Sequence, residues 1–233
     1  LWCRQQLYYF INMHIRNSII VADTKGTIWN GSAVIAQKNK NGEAIAALPG
    51  RIAWEMSSKF PLGGLYLKIT NDLILDQPVI LKYTKNNIKV ETSKLNLPSD
   101  YLTSFGAPFN TIKPTGDIAV SWDEMIIIID KSIPKIYGKI VVDLKNIATN
   151  LSPIKPLGHY SAEIDLNGED GEISLRTVTG PLKLTGEGVI IDGLVRFSGY
   201  AKTENNKEEL RNFMNLLGQW KNIGGDEAVA LEF

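Results

Sequence analysis

Tyr160-Ser-Ala-Glu-Ile-Asp-Leu166 is followed by Asn167-Gly-Glu-Asp-Gly171 and then by Glu172-Ile-Ser-Leu-Arg176. Two runs of alternating apolar and polar residues are thus joined by a glycine-rich polar turn. A two-residue period places successive side chains on opposite faces of an extended chain, so one face of each run is apolar and the other wet. Glycine and Asn-Gly or Asp-Gly pairs supply the positive φ that tight hairpins need. This stretch therefore reads as an antiparallel hairpin, and the same reading extends in both directions. Upstream lie Gly26-Thr-Ile-Trp-Asn-Gly-Ser-Ala-Val-Ile-Ala36, Arg51–Met56, Gly64–Thr70, Ile88–Glu91, Asp117–Trp122 and Lys139–Leu144. Downstream lie Leu182–Thr185 and Leu194–Tyr200. Turn formers separate them at Asn41-Gly42, Pro61–Gly64, Asn86-Asn87, Gly180-Pro181 and Asp192-Gly193. Strands at this spacing predict an all-β chain of mainly antiparallel, twisted sheets.

Helix signals are few. Arg4–Met13 suits a short N-terminal helix, and Pro98–Phe105 suits one or two turns entered by a proline. The firmest helix is Asn206–Leu217, with Asn206 as N-cap, Glu208 and Glu209 in the first turn and Gly218 after it. Leu210, Phe213, Met214 and Leu217 share one face of it, so that stripe is expected to seal the helix onto a sheet.

The two halves also correspond. Gly26-x-Ile and Gly50-Arg-Ile lie 24 residues apart, and Gly116-Asp-Ile and Gly138-Lys-Ile lie 22 apart. A Pro-Leu-Gly follows each pair (Pro61–Gly63, Pro156–Gly158), and each half closes on a short helix. The expected organisation is two related β-sheet units, 1–110 and 111–233 with the C-terminal helix, or one continuous domain.

Composition excludes much. The chain has 233 residues, 25 Lys+Arg against 25 Asp+Glu, two His and one Cys. Zero net charge removes the electrostatic footprint of a nucleic-acid binder. Cys3 cannot form an internal disulfide, and with two histidines it cannot build a four-ligand zinc site. The longest apolar run, Met125–Ile129, is only strand-sized, far short of a membrane span.

No catalytic constellation emerges. Gly31-Ser32-Ala33 lacks the second glycine of a nucleophile elbow, and neither His14 nor His159 lies in a catalytic context. Asp165–Gly171 has Asp170 and Arg176 where a calcium loop needs Gly and Glu. Asp123 and Glu124 are adjacent strand residues, which point to opposite faces. Gly186-Glu-Gly188 lacks the remaining glycine and Lys-Ser/Thr of phosphate loops. Asn30-Gly-Ser32 and Asn150-Leu-Ser152 match a glycosylation sequon too short to weigh. Trp29, Trp54 and Trp122 fall in strand-like stretches and are expected in the core, with Trp29 and Trp54 pinning the first sheet and Gly31 permitting a close approach. No catalytic, cofactor-binding or metal-ligating residue is expected.

Several segments together resemble the type II secretion system protein N (general secretion pathway protein N) family. They are Gly26-Thr27-Ile28-Trp29-Asn30-Gly31-Ser32-Ala33, Arg51–Trp54 with Pro61-Leu62, Leu97-Pro98-Ser-Asp-Tyr-Leu102 and Pro114-Thr-Gly-Asp-Ile118. Pro156-Leu157-Gly158-His-Tyr160, Gly180-Pro181-Leu182-x-Leu184-x-Gly186, Phe197-x-Gly199 and Leu216-Leu217-Gly218 complete the set. The resemblance implies a single-pass inner-membrane protein of a Gram-negative secretion machine with this domain in the periplasm. The membrane helix is not in this sequence, as expected of a periplasmic segment starting just after it. The resemblance also implies no catalytic residue and partners among the machine's inner-membrane components or its secretin. The expected function is non-enzymatic assistance to export through protein contacts. The alternative is an envelope sheet that binds lipid or another hydrophobic ligand, suggested by the apolar density of Met125–Ile129 and Val189–Ile191.

Overall fold

The computed structural model describes residues 19–38, 44–58, 64–99, 101–102, 109–129, 134–192, 194–203, 207–223 and 225–232. The expected helix at Arg4–Met13, the turns at Asn41-Gly42 and Pro61–Gly63, Trp2, Cys3, His14, Asn206, Asp100 and Thr103–Phe105 lie outside them. Pro98 ends a strand rather than opening the expected helical turn.

Among the described residues, seventeen antiparallel strands form one sheet. The first eight are β1 (Ile19–Gly26), β2 (Asn30–Lys38), β3 (Ala44–Ala47), β4 (Ile52–Ser58), β5 (Gly64–Thr70), β6 (Val79–Thr84), β7 (Asn87–Val90) and β8 (Ser93–Pro98). A short helix, α1 (Phe109–Ile112), precedes β9 (Thr115–Trp122), β10 (Met125–Ile128), β11 (Lys135–Ala148), β12 (Gly158–Gly168), β13 (Asp170–Thr179), β14 (Leu182–Ile191) and β15 (Leu194–Thr203). Helix α2 (Lys207–Leu217) leads to β16 (Trp220–Ile223) and β17 (Asp226–Glu232). The all-β, antiparallel expectation and the C-terminal helix are both observed.

The registers define a meander. β1 pairs with β2, and β2 with both β3 and β4, which run end to end beside it. The order continues through β5 and β6 to β7 and β8, which likewise run end to end, beside β10 and β9 respectively. β9 and β10 then share one side of the long β11. β12, β13, β14 and β15 follow in turn. The sheet ends by one exchange: β15 pairs with β17, leaving β16 outermost. β8 and β9, on either side of the 110/111 division, pair from Ser93↔Trp122 to Pro98↔Asp117.

Turn chemistry fits this path. Ile191 pairs with Leu194 across a two-residue loop in which Asp192 has φ 52°, and Asn167 pairs with Asp170 across Gly168 (φ 81°) and Glu169. The β6–β7 turn is Lys85-Asn86 rather than Asn86-Asn87, because Thr84 pairs with Asn87. Lys85 takes the positive φ there.

The core sits at one end of the sheet. Leu210, Phe213 and Met214 of α2 are at most 2% exposed and pack with Leu182, Ala201, Val229, Leu231 and Leu157. Leu217 packs on the rim of this cluster, so the expected stripe is the docking face. The Arg211 guanidinium lies 5.4 Å from the Trp220 ring centroid, and the Trp220 indole N–H donates to Asn215 Oδ1, fastening α2 to β16. On the loop side, the buried Thr149 hydroxyl donates to the Ile112 carbonyl and ties α1 to the cluster's edge.

Candidate interaction surfaces

Residues directly opposite in an antiparallel ladder share a face. One row reads Leu97, Ile118, Leu144, Tyr160 and Thr177 across five strands. The next reads Leu95, Val120, Val142, Ala162, Leu175, Gly186, Gly199 and Leu231. A third reads Trp122, Ile140, Ile164, Ile173, Gly188 and Phe197. In the first units the same face carries Trp54, Ile69 and Val79, and Met56, Leu67, Leu81 and Val90. Side by side, these rows form an apolar face that runs nearly the length of the sheet.

The opposite face carries the charge. Lys68 pairs with Glu55 (3.7 Å), Lys89 with Glu124 (2.6 Å), Lys139 with Glu163 (2.6 Å) and Lys82 with Glu91. Lys139 and its hydrogen bond hold the Glu163 carboxyl below the usual carboxylate range, and Arg176, 3.3 Å away, adds to this. Between β11 and β15 this face forms a groove of about 870 Å³ lined by Lys139, Glu163, Asp165, Glu172, Glu187 and Arg196. Asp165 and Glu172 stand directly opposite each other there. Even so, among the described residues no group of three or more His, Cys, Asp or Glu side chains is arranged to hold a metal ion.

Cover on the apolar face is uneven. At the α2 end, Ile118, Tyr160, Leu182, Ala201 and Val229 are buried. Burial lifts the Tyr160 hydroxyl far above its usual titration range, and it donates to the Leu182 carbonyl at 3.1 Å. Further along the same strands Ile140, Ile164, Ile173 and Phe197 are half-buried, and Val195 is 54% exposed. The face is thus closed at one end and open at the other. Met125–Ile129 and Val189–Ile191 contribute differently from expectation. Met125, Ile127 and Ile190 lie on the apolar face, but Ile126, Val189 and Ile191 point to the polar face and are exposed. Runs of consecutive apolar residues on strands cannot share one face.

Glycines floor this face where large side chains cross it. A Cβ on Gly31 would stand 2.5 Å from Trp54 Cζ2, one on Gly138 2.6 Å from Met125 Cγ, and one on Gly186 2.3 Å from Phe197 Cζ. The close approach expected at Gly31 is therefore met by Trp54, which is half-buried. Trp122 is half-buried too, and its indole N–H donates to the Glu91 carbonyl at 3.0 Å. Trp29 departs from expectation: it is 54% exposed. Gly26 (φ 85°) and the Thr27 hydroxyl, which accepts from the Trp29 and Asn30 N–H groups, make 27–29 a turn rather than a strand.

The remaining sequence features fall apart spatially. His159 is half-buried on β12 opposite Thr179. Glu124, paired with Lys89, lies with Asp123 between β9 and β10. Asn30-Gly-Ser32 opens β2, and Asp165–Gly171 is the β12–β13 hairpin end. Among the described residues, the sheet is open at β1 on one side and at β16 on the other, and Leu194–Phe197 of β15 extend beyond β17 with β14 alone as partner. Sequence reading missed β6, where Ile80 masks the Val79-Leu81-Tyr83 alternation, and it missed β1, β3, β8, β16 and β17 as well.

Such a molecule is a two-faced antiparallel sheet with a helix sealing one end. Residues 17–225 match the family model described as type II secretion system (T2SS), protein N, and the chain belongs to that family. No curated protein and no solved structure matches it. The chain is accordingly a component of type II secretion. No helix among the described residues is long and apolar enough to cross a membrane.

Proposed function

We propose that this chain is a non-enzymatic part of the secretion machine, working in the periplasm and held to the inner membrane by a helix preceding residue 1. It assists export of folded proteins across the outer membrane by binding other machine components, either inner-membrane proteins or the secretin. The open sheet carries this reading: unpaired strand edges and half-covered apolar rows are what partner strands and surfaces dock against. The units 1–110 and 111–233 act in it as one continuous platform. Crosslinking followed by affinity capture from secreting cells tests the reading. Recovery of inner-membrane machine proteins or the secretin supports it, and their absence from the captured set overturns it.

A second reading rests on the uneven cover of the apolar face. An apolar face covered by α2 at one end and less covered at the other suits an acyl chain of an envelope lipid. Native mass spectrometry of the purified protein checks this. A co-purified lipid that is lost on Ile173→Asp, in the open part of the face, supports it, and a protein that carries no lipid removes it.

A further inference from the structure

The β1–β2 turn is built more heavily than a connection requires. The Thr27 N–H donates to the Asn30 carbonyl at 2.8 Å, while the Thr27 hydroxyl accepts from the N–H groups of Trp29 (3.2 Å) and Asn30 (3.1 Å). The Trp54 indole N–H reaches the carbonyls of Thr27 and Ile28, each at 3.2 Å, and the Met56 N–H donates to the Trp29 carbonyl at 2.6 Å. A Cβ on Gly26 would stand 2.4 Å from the Asn30 carbonyl oxygen, so only glycine fits there. Backbone and hydroxyl alike are thus fixed, and the side chains left pointing outward are Ile28, 62% exposed, and Trp29, 54% exposed. A large apolar pair on a backbone that cannot relax is a preorganised contact: little conformational freedom remains to be lost on binding.

Surrounding charge selects the kind of partner. The nearby cations already have carboxylates: Arg51 and Lys25 meet Asp23, and Lys68 meets Glu55, which is opposite Asn30 in the ladder. A membrane-surface anchor needs uncommitted Lys or Arg beside its aromatic residues to meet anionic headgroups. Among the described residues, this corner does not offer them. Ile19, where β1 begins, lies at the far end of the strand, about 25 Å from the turn at the usual rise per residue. If a membrane helix precedes residue 1, the strand carries the turn away from its own start.

We propose that Ile28 and Trp29 form a knob that inserts into an apolar socket on a folded partner protein, one that offers a carbonyl or carboxylate to the Trp29 indole N–H. The proposal rests on the secretion reading only for where to look. The probe is a photoreactive benzoylphenylalanine at position 28 of the full-length protein in secreting cells, with the same residue at the exposed, polar-face Thr185 as reference. The expected result is a light-dependent adduct with a protein, at least about tenfold above the Thr185 reference and reduced about tenfold by Trp29→Ala. Because Trp29 is exposed, Trp29→Ala should keep the parent far-ultraviolet spectrum and melting temperature; an altered spectrum would itself contradict the side chain's outward placement. If the adducted protein lies outside the secretion machine, the knob stands and the secretion reading falls. Adducts only with lipid, or adducts no stronger than at Thr185, overturn the knob.

Discussion

At the scale of single residues, the recurring device is a glycine beneath a large cross-strand side chain. Phe197 lies over Gly186, with Gly188 and Gly199 alongside, and Trp54 covers Gly31. Glycine weakens a strand by roughly 0.5–1 kcal/mol relative to alanine, so these positions persist because the ring needs the space. Replacing Gly186 by Ala should therefore destabilise the fold despite the better strand residue, by about 1–3 kcal/mol, as the ring is lifted from its floor. In a Phe197→Leu background the same change should be neutral or stabilising, which a double-mutant cycle by urea denaturation would read. A substitution that costs the same in both backgrounds would show that the ring is not what excludes a Cβ. Trp29 illustrates the limit of residue-scale reading. Its alternating neighbours suggest a buried strand position, but Gly26 and Thr27 together convert the segment into a turn, and that turn chemistry was the readable signal.

Among elements, α2 is where local pattern and packing agree best. Its apolar stripe at three- and four-residue spacing was legible because an amphipathic helix has a single docking solution. Phe213→Ala should cost about 3–5 kcal/mol in chemical denaturation, since the ring is buried in the cluster that includes Ala201 and Val229. A loss under about 1 kcal/mol would mean that the helix is undocked in solution. Strands were legible where alternation was clean, as in β12 and β13. They were not where an apolar residue sat on the polar face: Ile80 hid β6, and Val189 and Ile191 gave β14 a false look of one-sided hydrophobicity. The contact surfaces were less legible than the strands, because which rows stay uncovered depends on where α2 lands, a long-range property. On the polar face, Lys139 depresses the Glu163 pKa. A carboxylate with a depressed folded pKa adds stability above its unfolded pKa and loses it as pH falls through the folded value. Glu163 should accordingly titrate below an ordinary glutamate by nuclear magnetic resonance, and Lys139→Ala should shift its midpoint upward. An unmoved midpoint would show that the pair does not form.

For the whole molecule, the decisive property is that contacts between the described strands run almost wholly along the ladder, while the helix-sealed cluster gathers β14, β15, β16 and β17. Stability in such an array approximates a sum of neighbour terms rather than one shared core. Amide hydrogen exchange should therefore be graded along the sheet. Amides of Tyr160, Ala201 and Val229 should exchange slowest, and those of β1 and β2 orders of magnitude faster. Uniform protection from β1 to β17 would show that the array unfolds as a single unit and would contradict this account.

The meander has one further consequence, in time rather than in space. From β2 to β15 every described strand pairs with one that precedes it in the chain, except β8, whose ladder partner β9 follows it. A polypeptide emerging amino end first can thus zip mostly against what is already out, the long closures being the return of β10 to β7 and the final exchange of β16 and β17. The closing helix comes late, so for most of its birth the growing sheet carries its greasy side bare. That interval is when a guardian protein would be needed most.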